Sequence, residues 1–194
     1  MTTRRERIAD AIITTLANFG GRGLTHRAVD EAAGLAMGSS SYYFRSRAAL
    51  LEAAVARLAD LDVEAVRALN PADPTESVAR LMEHALSGSG RTATLARYEL
   101  SLEAARRPEL RQALVAGTER LQSTIAELLA AMAVPSVAAK GQARDLLAFL
   151  DGVLFAEVTG AHGSPRSPAE LRAVAEAILG NAGVDDSAGV DRTA

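Results

Sequence analysis

The chain has 194 residues, 48% of them hydrophobic and 23% charged, enough for one compact domain or for a small domain joined to a larger one. It has no cysteine, which excludes disulfides, thiol catalysis and cysteine-held metals. No apolar run reaches the roughly 18–20 residues that cross a bilayer, and the stretch Met1–Arg7 lacks the apolar core of a signal peptide. A cytoplasmic protein with no membrane partner is expected. The net charge of −3 is unevenly spread. Residues 1–50 hold seven arginines against four acids, or +3, which leaves −6 for the rest. A basic head on an acidic body suits a protein whose head alone meets phosphate.

Helix signals recur along the chain, and no strand pattern of any length interrupts them. Ile8, Ile12, Leu16 and Phe19 form one apolar stripe that Gly20-Gly21 should stop. Thr25 caps a short helix containing Val29, Ala32 and Ala33, with Gly34 at its end, and a second short helix spans about Gly38 to Phe44. Ser46 then caps a long helix bearing Leu50, Leu51, Ala54, Leu58 and Leu61. Asp73-Pro74-Thr75-Glu76 offers a cap, a first-turn proline and a reciprocal acid for the next helix, which Ser87-Gly88-Ser89-Gly90 should break. Further helices are expected over about Thr92 to Arg106, Pro108 to Ala133, and 138–160. Ser167-Pro168-Ala169-Glu170 opens the last one, and the acidic tail from Gly183 reads as disordered. The total is nine helices in an all-α fold.

The segment from Thr25 to Arg47 narrows the possibilities. Val29, Ala33, Leu35 and Tyr43 fall where the core of a helix-turn-helix needs apolar groups, and Gly34 sits at the turn. The second short helix would expose Ser39, Ser41, Tyr42 and Tyr43, whose hydroxyls can meet phosphates and base edges, with Arg27 and Arg47 flanking the unit. Tyr43 can serve both ends, its ring in the core and its hydroxyl outside. The run Leu24-Thr25-His26-Arg27-Ala28-Val29-Asp30-Glu31-Ala32-Ala33-Gly34-Leu35-Ala36-Met37-Gly38-Ser39-Ser40-Ser41-Tyr42-Tyr43-Phe44-Arg45-Ser46-Arg47-Ala48-Ala49-Leu50 resembles the DNA-binding segment of the TetR family of transcriptional regulators.

The resemblance implies a nine-helix TetR-like architecture. Residues 1–48 would form the helix-turn-helix domain and 49–182 a ligand-binding and dimerisation domain, with 183–194 as the tail. It places Thr25, His26 and Arg27 near phosphates, Met37, Gly38, Ser39, Ser41 and Tyr42 in the major groove, and Tyr43 and Arg47 on the DNA backbone. His26 also reads as a solvated helix-start residue. Two positions depart from the family pattern: Asp30 stands where Ala is usual, and Ser40 where an apolar residue, often Leu, is usual. An unpaired polar group at a helix–helix contact is costly, so Asp30 is expected to bond the recognition helix, through Ser40 or a backbone N–H near its start. Ser41, where Tyr is common, leaves the operator sequence open.

In the body, the spacing of Gly152, Ala156 and Gly160 would let another helix come close. The resemblance makes the last two helices the dimer interface, with Leu150, Gly152, Leu154, Glu157, Leu171, Val174 and Ile178 as candidates; the same residues also read as monomer core. Candidate ligand contacts are Met82, Leu86, Leu95, Tyr98, Leu102, Leu121, Phe149 and Val153, with His84, Arg97, Glu99, Glu103 or Asp151 as polar anchors, although each apolar one taken singly reads more readily as plain core, and Arg97, Glu99 and Glu103 as a solvated or salt-bridged helix surface. The three histidines have no partners at metal-ligand spacing, and neither a nucleophile elbow nor a phosphate-binding glycine loop occurs, so neither catalysis, metal nor cofactor is expected. The expected partners are double-stranded DNA at a near-palindromic operator, a second copy of the chain, and a small-molecule effector that releases the repressor. A DNA-binding architectural protein without a ligand is the rival reading.

Overall fold

The computed structural model describes residues 3–132, 136–161 and 163–181. Nine α-helices follow in chain order among them: α1 (Arg4–Gly23), α2 (His26–Ala33), α3 (Ser39–Tyr43), α4 (Arg47–Arg67), α5 (Pro74–Ala85), α6 (Gly88–Ala104), α7 (Pro108–Ala131), α8 (Ser136–Thr159) and α9 (Pro168–Asn181). The all-α, nine-helix expectation holds among these residues. None of the helices is long and apolar enough, over the described residues, to cross a membrane. The expected tail, 183–194, lies outside the described residues, as does His162.

The chain divides into two compact units, and the boundaries fall inside α4, at the start of α6 and inside α7. The first contains Met1–Leu61 and Ser89–Glu119, so α1 to α3 share it with most of α4, with α6 and with the first half of α7. Its core is a single cluster built on Ile8, Ile12, Leu16, Val29, Phe44, Leu50, Leu51, Leu58, Leu100 and Leu110. The second contains Asp62–Gly88 and the chain from Arg120 onward. There α5 lies against α9, and three smaller apolar clusters replace one large core.

Local chemistry sets most helix ends. Thr3 and Glu6 close a reciprocal capping box at the start of α1. Ser167 and Glu170 do the same for α9, the Ser167 N–H donating to Glu170 Oε2 at 2.8 Å. At α5 only half of the expected device forms. Asp73 accepts from the Glu76 N–H at 3.1 Å, but the Glu76 carboxylate turns to Arg80 and to Arg172 of α9, at 2.7 and 2.6 Å. Two arginines outcompete one backbone N–H for the same acid.

Three expectations at helix ends are corrected. The break between α5 and α6 falls where expected but is shorter than the Ser87–Gly90 stretch: α5 ends at Ala85 and α6 already starts at Gly88. Glycine costs little in a first turn, whose N–H groups have no helical partner in any case, and Thr94 Oγ1 donates to the Gly90 carbonyl at 3.0 Å. Gly152, Ala156 and Gly160 do not make one stripe: Gly152 is exposed, Ala156 is buried, and Gly160 lies past the end of α8. Phe19 leaves the core and is exposed in the last turn before α1 breaks.

That break is at Gly20, whose φ of 64° and ψ of −176° interrupt the helix. This region of backbone space is almost closed to residues with a Cβ. Gly20→Ala is therefore expected to lower the stability of the protein by about 1–3 kcal/mol in urea unfolding. An unchanged midpoint would show that the kink is not needed.

Candidate nucleic-acid interface

The candidate interface is built on a helix that cannot hold itself. α3 has five residues, and its cap, Gly38, supplies no side chain to the free N–H groups of the first turn. Asp30, from α2, supplies them instead. Its Oδ2 accepts from the Gly38 N–H and its Oδ1 from the Ser40 N–H, both at 2.7 Å. The Asp30 side chain lies at the α2–α3 contact, and only 1% of the residue is exposed. Burial pushes its carboxyl up, but the N–H groups of Ser40 and Gly38 and the field of His26 outweigh this and hold it below the usual Asp value.

Two more bonds tie α3 to α2. The Ser40 hydroxyl donates to the His26 carbonyl at 3.1 Å, and the His26 ring donates from Nε2 to the Phe44 carbonyl at 2.6 Å, at the far end of α3. The expected bond from Asp30 to the start of the recognition helix is thus present, made through backbone N–H groups. The turn between the helices is closed by Gly34, left-handed at φ 59°, with the Leu35 N–H donating to the Asp30 carbonyl at 2.9 Å. Asp30 therefore ends one helix with its backbone and starts the next with its side chain.

This frame leaves the outer face of α3 bare. Tyr42 is 81% exposed and Met37, just before the helix, 72%. Ser41 is exposed with its hydroxyl donating to the Gly38 carbonyl at 2.8 Å, and Gly38 is exposed beside it. Ser39 and Tyr43 are half-buried, and the Tyr43 ring packs on the first unit's core and edge-on to Tyr42. Thr25 and Arg27 are exposed at the start of α2, where Thr25 Oγ1 also accepts from the Ala28 N–H at 3.1 Å.

Arg47 is placed differently from its neighbours. Its guanidinium donates to the Gly21 and Leu24 carbonyls at 2.6 and 3.0 Å, fixing the start of α4 to the end of α1. Glu103 of α6 lies 3.9 Å from the same guanidinium and also takes Arg107 at 2.9 Å. Beside it Glu99 Oε2 accepts from the Gly21 N–H at 3.1 Å, a donor left over by the Gly20 kink. Of these two candidate ligand anchors, Glu99 is bound to the end of α1 and Glu103 is paired with arginines. Sequence reasoning passed over Arg45, exposed directly after α3, and Arg5, which covers the Phe44 ring at 4.8 Å. The signal for Arg45 was its place beside the helix end.

In the second unit, Met82 is fully buried in a cluster with Leu154 and Leu171, with Leu86, Leu150, Val153 and Val174 packed around it. Leu121 joins Val63 and Val66 in another cluster, and Ile178 is buried too. Phe149 is half exposed, and Glu157 is nearly buried and paired with Arg166. Tyr98 and Leu102 stand on α6 in the first unit, Leu102 exposed, and His84 is exposed on α5. Of the candidate interface residues, Leu154, Leu171 and Ile178 thus spend their side chains inside their own unit, whereas Gly152 is open to solvent.

Comparison with known proteins decides the family. Residues 69–181 match the family described as tetracyclin repressor-like, C-terminal domain. The chain belongs to the TetR family of transcriptional regulators. A TetR-family member from Streptomyces coelicolor A3 is 29% identical, over 91% of this chain and 98% of that one, with a TM-score of 0.68. The multidrug binding protein EbrR, complexed with ethidium, is also 29% identical, with the same coverages and a TM-score of 0.66. A transcriptional regulator from Rhodococcus sp. Rha1, at 21% identity and a TM-score of 0.73, covers 92% of this chain and 95% of its own and shares the fold. Among curated proteins none matches.

Asp30 and Ser40 are in direct contact, so their substitutions should not add. Asp30→Ala with Ser40→Leu is expected to destabilise by less than the sum of the single changes, with a coupling of about 1 kcal/mol or more. Additive losses in a double-mutant cycle would rule the coupling out. A carboxyl held low in the folded state contributes stability above its unfolded pKa and loses it as pH falls through the folded one. Between wild type and the double variant, the wild type should therefore lose more unfolding free energy as pH drops through and below the ordinary Asp range.

Proposed function

We propose that this TetR-family protein is a homodimeric repressor that binds a near-palindromic operator and leaves it when a small molecule binds. The observation that carries the reading is the bare, hydroxyl-rich outer face of α3, held rigidly by α2 and flanked by exposed Arg27 and Arg45. Hydroxyls and a thioether can meet base edges and thymine methyl groups, while arginines grip phosphates without reading sequence. In this reading residues 1–48 bind DNA and 49–182 sense and dimerise. Thr25, Arg27, Met37, Gly38, Ser39, Ser41, Tyr42 and Tyr43 face the duplex. His26, whose Nε2 is taken by the Phe44 carbonyl, and Arg47, whose guanidinium is taken by two carbonyls, shape the surface from behind.

A five-residue helix touches few base pairs, and two copies one helical turn apart double the contact. The pairing surface in this reading is the open side of α8 and α9, where Gly152 and the half-exposed Phe149 and Phe155 lie on α8 and Ala173 and Ala177 on α9. Leu150 and Val174, half-buried, edge that surface. Effector release needs a ligand that prefers the state unable to bind DNA. The apolar clusters around Met82 and Leu121 are where such a ligand would lodge, and EbrR, with ethidium bound, makes ethidium the first probe.

The test is a duplex enriched by the protein from a random library, then footprinted with and without ethidium. An inverted repeat is expected. Arg27→Ala should reduce the slope of log affinity against log salt by about 1, and Tyr42→Ala should weaken the enriched duplex more than a scrambled one. No enriched repeat, or binding indifferent to both changes, would refute the DNA reading. Phe155→Glu should convert a dimer to a monomer in light scattering; a variant that remains dimeric moves the interface elsewhere.

A further inference from the structure

Most of the groups that would face DNA are held by ordinary helix geometry, but the start of α3 is held by a charge. A carboxylate with almost no exposure is unusual, and here both of its oxygens are spent on two N–H groups of the α3 start, at 2.7 Å each. This is the position at which an anion is best placed against a helix terminus. Because the bonds go to two residues two apart, they fix the rotation of α3 about its axis as well as its distance from α2. Rotation is what decides which side chains face outward. On a five-residue helix, one residue of slip turns the face by about 100°, which carries Ser41 and Tyr42 away from the outward side.

We propose that Asp30 is a positioning residue for base reading: its carboxylate sets the register of α3, and the discrimination between DNA sequences depends on it while general affinity for duplex DNA does not. The proposal rests on the DNA-reading function put forward above. The phosphate contact from Arg27 lies on α2 and survives a change in the register of α3. Base contacts from α3 do not. Asn at position 30 keeps the size but replaces one acceptor with an NH2 group facing an N–H donor, so one of the two bonds becomes a repulsion.

The experiment uses the duplex that the full-length wild type enriches from a random library, and a scrambled duplex of the same composition. Affinities for both are measured across a salt series for the wild type, Asp30→Asn and Asp30→Ala; the last removes both bonds without facing a donor with an NH2 group and serves where the first does not fold. Folded fractions are matched by circular dichroism. The expected result is that the folded variants lose about tenfold or more of the preference for the enriched duplex, the scale of a mismatched contact, with scrambled-duplex affinity and salt slope within about twofold of wild type. A folded variant that keeps the wild-type preference, or that weakens both duplexes equally, overturns the proposal and leaves Asp30 a structural residue. A wild type that enriches no sequence overturns the DNA-reading function as well.

Discussion

A helix of five residues has almost no internal hydrogen bonds, and its shape must come from whatever surrounds it. Here that constraint is met by the carboxylate of Asp30, which takes the N–H groups of Gly38 and Ser40 where α3 begins, and by the His26 ring, which takes the Phe44 carbonyl where it ends. α2 in turn is held by α1, against which it packs and whose Arg7 donates from Nε to the Ala33 carbonyl at 3.0 Å. The exposed residues of α3 are thus presented by a chain of supports, each of them one helix removed from the surface.

The second set of constraints lies at the other end of α1. Gly20 breaks the helix and frees the Gly21 N–H, which Glu99 takes. The Gly21 carbonyl goes to Arg47 at the head of α4, and Glu103 lies beside that guanidinium. Gly21 is also a place where a side chain would collide, since a Cβ there would lie 2.6 Å from Glu103 Oε1. Four elements, α1, α4, α6 and the start of α7 through Arg107 just before it, therefore meet through a few backbone groups and two acids. The interactions are partly buried and charge-assisted, the class in which a lost partner costs more than a formed bond contributes.

Much of this was legible in the residues. The helices announce themselves through caps that act within four residues: Thr25 for α2, Ser46 for α4, Asp73-Pro74 for α5, Ser167-Pro168 for α9. The polar pair Asp30 and Ser40 could be read as neighbours because two polar groups at an apolar contact must satisfy each other or the backbone. What escaped was long-range. Nothing near Glu99 or Glu103 in the chain points to a glycine pair some eighty residues earlier, and a helical run of charges looks the same whether it meets water or a backbone N–H. Glu76 leaves its local capping role for the same reason, since its competitor Arg172 arrives from α9.

The sequence by itself determined the helices, their order, and the helix-turn-helix with its hydroxyl-bearing face, because capping and hydrophobic period are local properties of the chain. Tertiary structure decided the rest. It put Gly88–Gly90 at the beginning of a helix, exposed Phe19, and drew Leu154, Leu171 and Ile178 into their own unit. It also turned Arg47 inward onto two carbonyls while leaving Arg45 outside. Whether an arginine grips a carbonyl or faces solvent depends on which backbone groups are left without partners nearby, and only the packing of distant helices settles that.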